Sequence, residues 1–233
     1  MADPIKITYC FDFDNGRDIT YLVQLDRGTL HIINEEIEGT PEWVDLTYKK
    51  CTNCPLSEAD NNYCPVALNL VQVTRKFSDV ISHEKVFVSV TTEERTYKKR
   101  TTVEEALSSL MGIIMVTSGC PILDHLKPMV RFHLPFSSAM ETTIRTLSMY
   151  LLAQYLVKKD TDTHTISFNL DDLEKIYTQI NEVNNDFSIR LSKAGTKDAH
   201  LSALSNLDSN ATLATMTIED TLGELKQYYT AYM

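Results

Sequence analysis

The sequence predicts an α+β fold: an antiparallel sheet from the N-terminal third, packed against a C-terminal helical bundle. Three observations lead there. Residues 5–33 hold short runs in which apolar residues alternate with polar or small ones, separated by tight-turn tripeptides. From residue 102 onward, apolar residues recur at three- and four-residue spacing behind helix-capping sequences. Between these regions lies a polar stretch, residues 47–64, with no periodicity and three of the five cysteines.

The alternation of Ile5, Ile7, Tyr9, Phe11 and Phe13 describes a half-buried strand. The Asp-Asn-Gly turn at 14–16 leads into a second run, Ile19, Tyr21, Val23 and Leu25. After Asp-Arg-Gly at 26–28, Leu30, Ile32 and Ile33 are expected to form a third strand, completing a meander. Pro65 opens a helix to about Lys76, with Val66, Leu70 and Val73 on one face. Residues 84–91 alternate as a strand, and Arg95–Thr101 can pair with it across the Thr-Glu-Glu turn.

Thr102 and Glu105 have capping-box spacing, and the helix they open should end at Gly119. It is apolar almost all round, through Leu107, Leu110, Met111, Ile113, Ile114 and Val116, so it belongs in the core. Cys120-Pro121 is expected to cap a short helix to about Lys127. A second box, Ser138 and Glu141, precedes a helix to about Val157. Further helices are expected at 171–191 and 198–207, and from a third box, Thr217 and Asp220, through Tyr232. Asp160 to Thr165 is the best candidate linker, too short to separate two domains, so one domain spans 1–233, β-rich over 1–101 and helical over 102–233. The C-terminal stripe leaves room for a protein partner or a homo-oligomer.

Twenty-two basic residues against 32 acidic give a formal net charge of −10, which argues against a nucleic-acid-binding surface. The one basic cluster, Arg95, Lys98, Lys99 and Arg100, is bracketed by glutamates and reads as a solvated hairpin. The N-terminus carries no apolar signal core, and Leu110–Val116 is too short to cross a bilayer. A cytoplasmic location with no membrane association is therefore expected, where thiols stay reduced. The sequence has no phosphate-binding glycine loop, no G-x-S-x-G and no H-E-x-x-H.

Cys51, Cys54, Cys64 and Cys120 form a set, and three of them are followed directly by proline. Proline favours the first helical position, which places the preceding cysteine at the N-cap, among free N–H groups and at the positive end of the helix dipole. Such an environment stabilises a thiolate that binds a metal or reacts. Cys51 and Cys54 have the spacing of a zinc knuckle, and Cys64 and Cys120 complete four thiolates for a tetrahedral ion. Zinc is the first choice, an iron–sulfur cluster the second, although the spacing matches neither common ferredoxin pattern. Metal-free redox thiols are the third reading, since C-x-x-C is also the oxidoreductase arrangement. Cys10, between Tyr9 and Phe11, points to the opposite face of its strand and reads as a packing residue.

His133, ahead of a helix start, is a candidate spare ligand or general base, set against a packed, hydrogen-bonded histidine. Nothing nearby in sequence completes a catalytic pair for it. A hydrolase using His133 would need one cysteine to leave the coordination shell. The segments C-T-N-C-P-L at 51–56, C-P-V-A-L at 64–68, S-G-C-P at 118–121 and R-F-H-L-P-F at 131–136 give the chain a resemblance to an uncharacterised bacterial family. That resemblance covers most of the chain, implies no activity, and favours treating the cysteines as one unit. The expectation is an interaction or regulatory protein with a structural Cys₄ metal site and no catalysis, against an iron–sulfur or dithiol redox protein or oxidant sensor.

Overall fold

A computed structural model describes residues 3–34, 39–160, 169–194, 198–216 and 218–233. The predicted alternation at the N-terminus becomes β1, Ile5–Phe13, and β2, Asp18–Leu25, joined at Gly16 with a φ of +84° that suits glycine. β3, Lys85–Thr91, and β4, Thr96–Thr102, form the second hairpin. All four pair antiparallel in the order β2-β1-β3-β4, with Tyr9 opposite Tyr21 on one side and Val90 on the other. The second hairpin thus extends the first through β1 rather than through β2.

The expected third strand does not form. Asp26 Oδ1 accepts the N–H groups of Gly28 and Thr29, and Leu30 takes a left-handed φ of +58°, so the chain curls back. Ile32 makes only an isolated bridge to Leu25, and its N–H goes to the carbonyl of Thr117 instead.

Every apolar residue of the β1 and β2 alternation faces one side of the sheet and is buried there. The helices lie on that side. α1, Pro65–Lys76, has the predicted bounds, with Cys64 as its N-cap. α2, Val103–Thr117, starts where the Thr102 hydroxyl accepts the N–H of Glu105 at 3.4 Å. The other half of that expected box is missing, because the Glu105 carboxylate turns to Lys99 and Thr101. α2 touches α1, strands β3 and β4 and the later helix at Asp198–Met216, which explains its apolar circumference. Gly119 at φ +95° turns the chain after it.

The helix expected directly after Cys120 does not start there. Residues 121–122 form a turn, a 3₁₀ stretch covers Leu123–Leu126, and α3, Lys127–Arg131, follows. α4, Ala139–Asp160, opens on a complete capping box. Ser138 Oγ accepts the Glu141 N–H at 3.2 Å, and the Glu141 carboxylate accepts the Ser138 N–H at 2.8 Å. α5, Asp171–Lys193, and α6, Asp198–Met216, both run beyond the predicted ends. α7, Ile218–Leu225, gives way to a 3₁₀ stretch over Lys226–Tyr232. The proposed linker beyond Asp160 and Thr217 of the third capping box lie outside the described residues. No helix among the described residues is long and apolar enough to cross a membrane.

Two residues of the basic cluster are paired locally. Lys99 pairs with Glu105 at 2.5 Å and Arg100 with Asp14 at 2.7 Å.

Candidate functional site

The polar stretch before α1 is a loop closed at its base by strand-like bonds. Leu46 N–H donates to Asn62, Cys64 N–H donates to the Val44 carbonyl, and Asp45 bridges Tyr63. At its tip Cys54 N–H donates to the Cys51 carbonyl at 3.1 Å, a turn that puts both cysteines on one bend. Lys50 Nζ braces the inside of the loop through the Leu56 carbonyl at 2.9 Å.

This loop, the start of α1 and the turn after α2 converge. Cys64 and Cys120 are buried, Cys51 and Cys54 half-buried, and none is in a disulfide. Their charges fall within reach of one another: Cys51 interacts with Cys64 and Cys54, Cys64 with Cys54, and Cys120 with Cys64 and Cys54. Burial, with repulsion from Cys64 and Asp186 added, pushes the Cys51 thiol up to about 12, while Arg190 pulls it down. Burial also raises Cys64, against the backbone N–H groups of Ala67 and Val66 and the charge of Arg190. Cys120 is raised in the same way, against the N–H groups of Leu123 and Ile122. Each of the two Cys-Pro turns thus sets the second and third following amides near its sulfur, without a cap hydrogen bond at Cys64. Cys120 achieves this from a turn rather than from the expected α-helix N-cap.

Among the described residues, no three His, Cys, Asp or Glu side chains are grouped so that they could hold a metal ion. What surrounds the four thiols is polar: the amides that follow Cys64 and Cys120, and one buried guanidinium. Arg190 is only 1% exposed. Its Nη1 donates to the carbonyls of Trp43 and Asp45, both at 2.8 Å, and Nη2 to Leu46 at 3.3 Å. Its Nε is buried without a partner.

Helix α5 holds the loop at two further points. Asp186 Oδ2 accepts both the N–H and the hydroxyl of Thr52, and Asn53 Nδ2 donates to the Gln179 carbonyl. Sequence reasoning missed these residues because it took α5 as an apolar seam. The available signal was Arg190 itself, a charged residue on the stripe that carries Val183, Phe187 and Leu191.

His133 belongs to a different network. Its Nε2 lies 2.8 Å from the Tyr9 hydroxyl, which is 2.9 Å from Ser109 Oγ. Burial, and then the charge of Arg145, lowers His133 to about 3, so the ring is neutral and serves as a packed hydrogen-bonding partner. His125 is exposed, with Nδ1 3.1 Å from the Ile122 carbonyl. Cys10 lies on the face of β1 away from the helices, where it accepts a hydrogen bond from Thr20 Oγ1.

No curated protein and no solved structure matches the chain. A family model described as a domain of unknown function, DUF6901, matches residues 7–230, nearly the whole sequence. The chain, an α+β protein, belongs to the DUF6901 family.

Proposed function

We propose that Cys51, Cys54, Cys64 and Cys120 bind one metal ion, zinc by preference, and that this ion is structural. The observation that carries the reading is the convergence of four thiols from three separate segments, two of them facing paired backbone amides. Four thiolates around a divalent cation leave a net charge of −2, which needs hydrogen-bond donors and positive charge nearby. The amides of Val66, Ala67, Ile122 and Leu123 and the guanidinium of Arg190 are the groups available for that. Loading the ion requires the thiols to lose their protons and the sulfurs to turn inward, so binding releases protons.

A metal-free dithiol is the weaker alternative. A reactive cysteine needs a lowered pKa, and burial here moves Cys51, Cys64 and Cys120 the other way. A closed thiolate shell has no position for substrate, so the proposed role is that of a non-enzymatic bacterial interaction or regulatory protein in the cytoplasm. A run of apolar side chains on α4, including Leu152, Tyr155 and Leu156, faces solvent and fits such a role.

The test is removal of one ligand. Cys120→Ser is expected to abolish stoichiometric metal and to lower the melting temperature, because a structural ion contributes directly to folding. A variant that melts like the parent, with the metal content of the parent, would contradict the proposal.

A further inference from the structure

A cavity of about 520 Å³ lies between α2, the segment from Leu126 to Ser137, α4 and α6. Its size falls in the range of small-molecule sites, about 300–1,000 Å³. One wall is apolar, with Ile113, Leu126 and Met129 among its residues. Most polar groups on the lining are already spent. Ser109 and His133 bond to Tyr9, Thr142 to Ser137, and Glu105 to Lys99 and Thr101.

Arg145 keeps donors to spare. Its Nη2 is held by the carbonyls of Phe132 at 2.8 Å and Met129 at 3.0 Å, which end α3. Those bonds use two of five N–H donors and fix the plane of the fork. Among the described residues no carboxylate stands within ion-pair distance of this guanidinium. Glu141, the carboxylate one turn earlier on α4, is occupied by Ser138. Glu104 and Glu105 also line the cavity, but both stand in the first turn of α2, where the helix dipole favours acidic groups. A half-buried, immobilised and unpaired cation beside an apolar wall is suited to an anionic head joined to an apolar body.

We infer that this cavity is a binding site for a small amphipathic monocarboxylic acid, its carboxylate held by Arg145 and its apolar body lying along Ile113, Leu126 and Met129. The match is one of charge: Nη1 and Nε keep three N–H donors, and a carboxylate accepts from them in a charge-assisted bond that a neutral alcohol makes more weakly and an ammonium cannot make. The site is separate from the cysteines, and the inference stands whatever they bind.

The experiment is calorimetric titration of the 233-residue protein as purified with octanoate, octanol and octylammonium as probes. Saturable binding of octanoate is expected, with octanol and octylammonium at least tenfold weaker. Arg145→Gln should lose at least tenfold in octanoate affinity and Arg145→Lys should lose less. Leu134→Trp, which fills the cavity from a loop, should abolish binding while the circular dichroism and melting temperature stay those of the parent. If a substituted protein does not fold, the comparison of the three probes on the parent decides alone. Equal binding of octanol and octanoate, unchanged affinity in Arg145→Gln, or no saturable binding of octanoate would each overturn the inference.

Discussion

One oxygen of the Asp186 carboxylate accepts both the backbone N–H of Thr52, at 2.7 Å, and its hydroxyl, at 2.9 Å, across 134 residues of sequence. Thr52 stands between Cys51 and Cys54, so a helix from the C-terminal half holds the bend that carries half of the thiol cluster. Asp186→Ala removes a charge-assisted pair on a partly solvated loop and is expected to cost about 1–2 kcal/mol in urea denaturation. If the cysteines hold a metal, the same variant should surrender it to a chelator about 10–100-fold more readily, as other outer-shell substitutions do. A protein with parental stability and parental metal release would show that the contact is incidental.

Arg190 is the harsher case. It sits one turn beyond Asp186 on α5 and is buried against the carbonyls of Trp43, Asp45 and Leu46. Arg190→Met keeps much of the volume but strands three carbonyls, those of Trp43 and Leu46 buried, and removes the positive charge near Cys51 and Cys64. A loss of about 3–5 kcal/mol is expected, the scale seen when buried charged groups lose a partner. Lysine should rescue little, because one ammonium cannot reproduce the planar fork. Equal stability of Arg190→Lys and the parent would show that charge alone matters.

His133 supplies a pH dependence whose sign can be worked out. Its folded pKa, about 3, lies below its ordinary value near 6.5. Between those values the unfolded chain binds a proton that the folded chain refuses. Stability from this group is therefore present above about pH 6.5 and is lost as the pH falls toward 3, at about 1 kcal/mol per pH unit. His133→Gln should flatten that part of the stability curve between pH 6 and 4, whatever it costs at neutral pH. A variant with the parental slope would mean that the ring accepts a proton in the folded state.

Gly119 ends α2 at φ +95°, one residue before Cys120, with open space where a Cβ would stand. Gly119→Ala should therefore cost about 1–2 kcal/mol through backbone strain alone. Thermal unfolding of the variant checks this, and an unchanged melting temperature would show that the turn accepts another φ.

The parts legible in the sequence were those set by local rules. Pro65 placed the α1 start and its Cys64 cap because proline fixes φ at the first helical turn. The alternation from Ile5 to Phe13 gave β1 its buried face because side chains alternate across a strand. Elements decided by distant partners were not legible. Ile32 left the expected third strand when its amide bonded to Thr117 at the end of α2. The turn after Cys120 became 3₁₀ rather than α, yet it still turns two amides toward the sulfur. Arg190 and Asp186 escaped notice because seam periodicity says which face is inward, not which polar groups that face must satisfy.

The central claim is that one metal ion joins the four cysteines. Its most direct test is elemental analysis of protein purified without chelator, together with X-ray absorption at the edge of the metal found. The account predicts one zinc per chain with four sulfur neighbours at about 2.3 Å. Substoichiometric metal, an iron signal with visible absorption, or nitrogen and oxygen in place of sulfur would contradict it.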